Sequence, residues 1–160
     1  LTKRSQNLNR NAGQYALPGG KTEPGESKKD TALRECQEEV GLDLNDGHIL
    51  GTLDEFETCS GFSITPFVAA VNYTINPCSS RDEVDEIFFI PLEELITATT
   101  IKNKCQRNIH EGVGFSLTLP TIGQEVFAPT AAILFQFCEV AIFGRMTRVA
   151  EFKQPPFTWT

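Results

Sequence analysis

The sequence is poor in whatever would span a bilayer, knit a zinc site or keep the chain unfolded. Its longest mainly apolar stretch, Thr130 to Phe143, is interrupted by Gln136 and Glu139, and a bilayer crossing takes about 20 apolar residues. That stretch reads as a buried helix, and no membrane partner is expected. Only two histidines are present, His48 and His110, and nothing around them requires a ligand role. The cysteines, at 36, 59, 78, 105 and 138, are odd in number and far apart, a spacing that matches no metal knuckle and no Cys-x-x-Cys redox pair. Mostly buried thiols in a reducing compartment, cytoplasmic or organellar, are expected. Secretion with a single disulfide stays open, because the chain opens at Leu1 without a Met. No signal-like segment, lipidation motif, P-loop, Ser-His-Asp pattern or internal repeat is found.

What is there suffices for one folded domain. The chain has 160 residues, 40% of them hydrophobic, and twelve are Phe, which excludes disorder through lack of apolar burial. The net charge is −7, unevenly spread. Residues 1–22 carry Lys3, Arg4, Arg10 and Lys21 and no acid, whereas residues 23–160 carry a net −11. An acidic body repels polyphosphates over most of its surface, and the basic head can recover such a ligand locally.

Residues 13–26 are rich in Gly and Pro and read as loop. Ser27, with Asp30 three residues on, reads as the N-cap of a helix running to about Val40 and stopped at Gly41, with Ala32, Leu33, Cys36 and Val40 as its apolar arc. Strands are expected over 48–57 and 62–73, joined by Cys59-Ser60-Gly61, then a turn at Asn76-Pro77 and a short strand over 86–90. Pro91 should open a helix through Thr97. Residues 102–120 read as a long loop with room for one short strand, 130–143 as the second long helix, and 144–160 as a C-terminal tail. Strands and helices in no repeated β-α order imply an α/β sandwich rather than a doubly wound parallel sheet.

The chemistry concentrates in residues 20–42, GKTEPGESKKDTALRECQEEVGL. At 100° per residue, Glu35, Glu38 and Glu39 share one helical arc about 100° wide. Alone, such a face is ordinarily just solvated, and each close like-charge pair on it costs about 0.2–0.5 kcal/mol. A hard divalent cation such as Mg²⁺, which takes oxygen ligands and keeps waters, would relieve that repulsion. Gly19-Gly20 lets the backbone pass close to this face and offers the Gly19 carbonyl as a further ligand. Glu26, just before the helix, can reach back to Arg34 and fix the loop against it.

Gly20, Glu26, Arg34, Glu35, Glu38, Glu39, Gly41 and Leu42 match G-x5-E-x7-R-E-U-x-E-E-x-G-U at every fixed position, with Cys36 at the aliphatic position U. The segment therefore resembles the Nudix box. The resemblance implies a single α/β/α sandwich domain over 1–160, with a mixed β-sheet between helices. It implies a hydrolase that cleaves the diphosphate bond of a nucleoside diphosphate derivative using Mg²⁺ or Mn²⁺. Carried over, Glu35 and Glu39 are the leading metal ligands, Glu38 the third, the Gly19 carbonyl an addition, and Glu26 with Arg34 the supporting pair. Glu38 is the first candidate for taking the proton of the attacking water and Glu111 the second.

Leu1-Thr2-Lys3-Arg4-Ser5 with Leu8, then Gly13-Gln14 and Leu17-Pro18-Gly19-Gly20, resembles the signature before the box in coenzyme A pyrophosphatases, although Asn9 displaces Arg10 by one position. Residues 60–68 and 82–92, and the Thr130-Ala131 pair, are similar to the same subfamily. This implies hydrolysis of coenzyme A or acyl-CoA to 3′,5′-ADP and 4′-phosphopantetheine. Arg4 and Arg10 would clamp phosphates bidentately, and Lys3 and Lys21 would act as point charges. The alternatives are an RNA 5′ cap, NADH, ADP-ribose or a dinucleoside polyphosphate. Tyr15, Phe62 and Phe115 are candidates for stacking a cap base, though packing is the commoner role for each. A non-catalytic nucleotide-binding module of the same fold is the reading from another class. A homodimer is compatible with the family, and Trp159 is expected to pack the tail.

Overall fold

The computed structural model describes residues 1–8, 11–71, 82–105, 115–149 and 152, with backbone alone for 100–105. Arg10, the Asn76-Pro77 turn, Cys78, His110, Glu111 and Trp159 lie outside the described residues. The chain divides into two compact units, Leu1–Thr52 with Thr65–Phe88, and Leu53–Ile64 with Phe89–Thr160.

The first unit holds a three-stranded antiparallel sheet of β1 (Thr2–Arg4), β2 (Tyr15–Ala16) and β7 (Val84–Ile87), in the order β2-β1-β7. Thr2 faces Ala16 and Ile87, and the register slips between Lys3 and Arg4, where β7 carries an extra residue. Helix α1 (Lys28–Val40) packs on β7. Its ends are those expected. Ser27 accepts from the Asp30 N–H and Asp30 accepts from the Ser27 N–H, a closed capping box. Gly41 closes the helix at φ 71°, left-handed backbone that glycine adopts without a Cβ penalty. The buried face differs from the expected arc. Thr31, Glu39 and Val40 are buried, while Ala32, Leu33 and Cys36 are half-buried. A 3-10 turn (Asp46–His48) capped by Asn45 leads into β3 (Ile49–Thr52), which pairs antiparallel with β6 (Phe67–Ala69).

The expected strands over 48–57 and 62–73 are each broken in two. β4 (Phe56–Glu57) and β5 (Ser63–Ile64) form their own hairpin in the second unit, around a turn in which Thr58 accepts from the Phe62 N–H at 3.0 Å. Pro66, which has no N–H to give a ladder, stands between β5 and β6. Helix α2 (Leu92–Cys105) outruns the expected end at Thr97. Leu95 and Thr99, one turn apart, are both buried, and that burial carries the helix past its β-branched threonines. The expected loop over 102–120 therefore begins as helix and ends as β8 (Ser116–Leu119), the one short strand allowed for it. β9 (Gln124–Phe127), absent from the sequence reading, pairs with β8 through a turn in which the Gly123 N–H reaches Leu119 O at 2.9 Å.

The core of the second unit is aromatic. Phe115, Phe135 and Phe152 lie with ring centroids 4.4–5.3 Å apart, beside buried Leu117, Leu119, Val126 and Ile133. Phe115 is thus a core ring, as packing predicts, and not a free stacking surface. The apolar run after Pro129 forms α3 (Thr130–Phe137) and then a π-helical turn over Cys138–Ile142, where one continuous α-helix was expected. Gln136 and Glu139, which interrupt that run, are buried and satisfied. Gln136 accepts from the Asp54 N–H at 3.1 Å and donates to Thr147 O at 2.9 Å. Glu139 takes Arg145 at 2.8 Å and the Thr147 hydroxyl at 3.0 Å. Among the described residues, no helix is long and apolar enough to cross a membrane, and Cys36 and Cys138 are free thiols.

Candidate active site

The acidic arc lies wholly within the first unit, and the turn before α1 sets its order. Glu26 closes that turn, its N–H donating to Glu23 O at 3.0 Å and its carboxylate accepting from the Glu23 N–H at 3.1 Å and the Thr31 hydroxyl at 2.8 Å. Arg34 meets the same carboxylate as a fork, Nε to Oε1 at 2.9 Å and Nη2 to Oε2 at 3.2 Å. Its other donors reach Glu35 at 2.9 Å, Glu38 at 3.0 Å and the Lys21 carbonyl at 3.3 Å. Every guanidinium N–H has an acceptor, an arrangement a lysine ammonium could not reproduce. The hydrogen bond from Arg34, aided by the Glu23 N–H and the Thr31 hydroxyl, holds the Glu26 carboxyl down to about 2. The expected Glu26–Arg34 pair is therefore formed, and it extends to two carboxylates of the arc.

Glu39 is held differently. It is 3% exposed, accepts from the Gly19 N–H at 3.2 Å, and lies 3.8 Å from Arg4 Nη1. Burial pushes its carboxyl up to about 7 against the pull of Gly19 and Arg4, and the charges of Glu35 and Glu83 push the same way as burial. Next to Gly19, the Gly20 backbone crosses so close to Glu35 that a Cβ there would collide with the carboxylate. Gly19-Gly20 is thus packed on the two glutamates by direct approach, and any side chain at 20 would have to displace the Glu35 carboxylate.

The structure brings Arg4, Gly19, Gly20, Glu26, Arg34, Glu35, Glu38 and Glu39 into one neighbourhood. Lys3 is opposite Tyr15 and Glu86 in the ladder, and strand alternation turns it to the other face of β1 from Arg4. Lys21 is exposed and enters through its carbonyl. Tyr15 packs edge-on against Phe88 at 5.7 Å, and Phe62 is exposed in the β4–β5 turn. Sequence reasoning missed the electrostatic reach of Glu83 to Glu39 and the contact of Arg4 with that same carboxylate. The acidic run Asp82-Glu83 was the sole signal for the first, and nothing local marks the second.

Three carboxylates on one helical face, one of them buried with its nearest cation 3.8 Å away, are chemically suited to a hard divalent cation. Among the described residues, no three such groups already stand together as a ligand set. Each carboxylate of the arc is held by an arginine instead.

A family model of the NUDIX domain matches residues 1–111. The chain is 43% identical over 97 residues to an uncharacterized Nudix hydrolase, NudL, of Yersinia enterocolitica, an alignment covering 60% of this chain and 50% of that protein. It is 36% identical over 137 residues to NudL of Yersinia pestis strain Pestoides F, covering 84% of this chain and 67% of that one. The chain thus spans between half and two thirds of the length of these relatives. A crystal structure of the MutT protein from Methanosarcina mazei Go1 is similar at 33% identity and a TM-score of 0.48, over 60% of this chain and 68% of that one. The chain belongs to the Nudix family, and the matched residues include the segment from Gly20 to Leu42 that resembles the Nudix box.

Proposed function

We propose that the protein hydrolyses the diphosphate bond of a nucleoside diphosphate derivative, with coenzyme A or acyl-CoA as substrate. The observation that carries this reading is the buried Glu39 beneath the Gly19-Gly20 turn, with Arg4 drawn to the same carboxylate. A carboxylate so placed is poorly neutralised by its own surroundings, and an arginine beside it offers a fork for a phosphate.

Glu35 and Glu39 would hold Mg²⁺ or Mn²⁺, with Glu38 and the Gly19 carbonyl in support. When bound, the cation supplies neutralisation of the diphosphate and a water of lowered pKa. The residues of the chain do the rest. Arg34 and Glu26 lock the box turn to α1 and so fix the spacing of the glutamates. Glu38, at 59% the most exposed carboxylate of the arc, is free to take a proton from water and release it to solvent. Arg4 orients the substrate by a phosphate oxygen. Resemblance of residues 1–20 to the coenzyme A pyrophosphatase signature supports the choice of substrate.

The test is incubation of the pure chain with coenzyme A and Mg²⁺ or Mn²⁺, beside capped RNA, NADH and ADP-ribose. The expected products are 3′,5′-ADP and 4′-phosphopantetheine, abolished in a folded Glu39→Gln variant. Turnover of another substrate alone would replace the substrate while keeping the chemistry. No product from any substrate would favour the non-catalytic module.

A further inference from the structure

We propose that Arg4 is the internal counter-ion of Glu39 in the metal-free protein and passes to the anionic substrate when a divalent cation takes its place. Metal and substrate then load cooperatively. This rests on the reading of α1 as a metal site.

The main chain of Arg4 is pinned. Its N–H donates to Gln14 O at 2.9 Å, and its carbonyl accepts from the Gly13 N–H at 3.0 Å. The next residue, Ser5, and Thr2 earlier in the same strand are buried. Any movement therefore belongs to the side chain, which retains 26% of its exposure. That side chain is poorly satisfied where it lies. Its Nη1 is 3.8 Å from Glu39 Oε1, beyond hydrogen-bond range, and its Nε is buried with no acceptor among the described residues. Arg34, on the same helix as Glu39, has every donor engaged. One arginine is committed as a brace, whereas the other is drawn in by charge without being docked.

Glu39 is the matching half. It is a buried carboxylate with one N–H donor from Gly19 and a loose cation nearby. A divalent ion beside it satisfies the carboxylate better than a guanidinium at that range, and its charge repels Arg4. The displaced fork needs an anion, and a phosphate oxygen pair fits it. Because binding free energies are linked, an anion that holds Arg4 must in turn tighten the metal.

The test needs no turnover. Mn²⁺ binding to the full chain is followed by the electron paramagnetic resonance of free Mn²⁺, and adenosine 3′,5′-bisphosphate binding is followed by calorimetry with and without Mg²⁺. In the wild type, Mn²⁺ should bind in a manner lost in Glu39→Gln, and Mg²⁺ should tighten the nucleotide. Arg4→Gln should bind Mn²⁺ about three- to tenfold more tightly, as removal of a nearby positive charge demands, and its nucleotide affinity should no longer respond to Mg²⁺. Arg4→Lys, which keeps the charge and loses the fork, should leave Mn²⁺ affinity near the wild-type value and weaken the nucleotide. It serves as the second variant if Arg4→Gln fails to fold by circular dichroism. Unchanged or weaker Mn²⁺ binding in Arg4→Gln, or a persistent response to Mg²⁺, overturns the inference while the metal site stands. So does an Arg4→Lys variant that binds nucleotide as the wild type does. Absence of Glu39-dependent Mn²⁺ binding in the wild type overturns the metal site and the inference together.

Discussion

Replacing Gly20 by Ala should separate stability from function in this protein. The added Cβ would run into the Glu35 carboxylate, with even the farther oxygen, Oε2, only 2.9 Å away. The clash is with the far end of a flexible side chain, so Glu35 can withdraw by roughly 1 Å instead of forcing the backbone, and the destabilisation should stay near the low end of the about 1–3 kcal/mol range for overpacking. Withdrawal also stretches the 2.9 Å hydrogen bond from Arg34 to Glu35, a partly exposed contact of small energetic weight. Function is far less tolerant, since a misplacement of about 1 Å in a reacting assembly costs on the order of a hundredfold. Urea unfolding of Gly20→Ala should therefore show a loss of about 1 kcal/mol, while kcat/KM for the diphosphate substrate falls by about a hundredfold. Retention of full activity in the folded variant would refute the role given to the Glu35 position. A collapse in stability of about 3 kcal/mol or more would show that the backbone, not the side chain, yields.

Glu26 provides a pH prediction. Its folded carboxyl is held down to about 2 against an unfolded value near 4.3, so its contribution is fully present above the unfolded value and is lost as the pH falls toward 2. Acid unfolding of the wild type should be steeper through that window than that of Glu26→Gln, and identical slopes would show that the Arg34 fork does not act on stability. In the second unit, Phe135→Ala removes the ring shared by Phe115 and Phe152 and should cost about 3–5 kcal/mol in denaturant unfolding. A loss under about 1 kcal/mol would mean that the aromatic cluster collapses to fill the space.

The parts of the molecule legible in the sequence are those written in local chemistry. Ser27, Asp30 and Gly41 mark the ends of α1 because caps are made by residues adjacent in the chain. The acidic arc and the Glu26–Arg34 pair were legible for the same reason, being separated by at most a few helical turns. β1 and β2 were not, since three and two residues carry no periodicity and Thr2 is defined as strand by Ala16 and Ile87 across the sheet. The single runs expected over 48–57 and 62–73 split because pairing partners, not β-propensity, decide where a strand ends. The π-helical turn after Phe137 is one extra residue in a helical ladder and leaves no mark on an apolar pattern. Arg4 was legible as part of a basic head, but charge along a chain does not say which carboxylate a cation will meet.

One guanidinium serving three acids has a consequence for anyone dissecting this helix by substitution. Removing Glu26, Glu35 or Glu38 singly frees Arg34 to tighten on the remaining two, so each deletion reports its own loss less the gain of its neighbours. Effects of the three positions will not sum, and a scan that treats them as separate will undervalue all of them. Only paired and triple replacements compared within a thermodynamic cycle can divide the coupling among them.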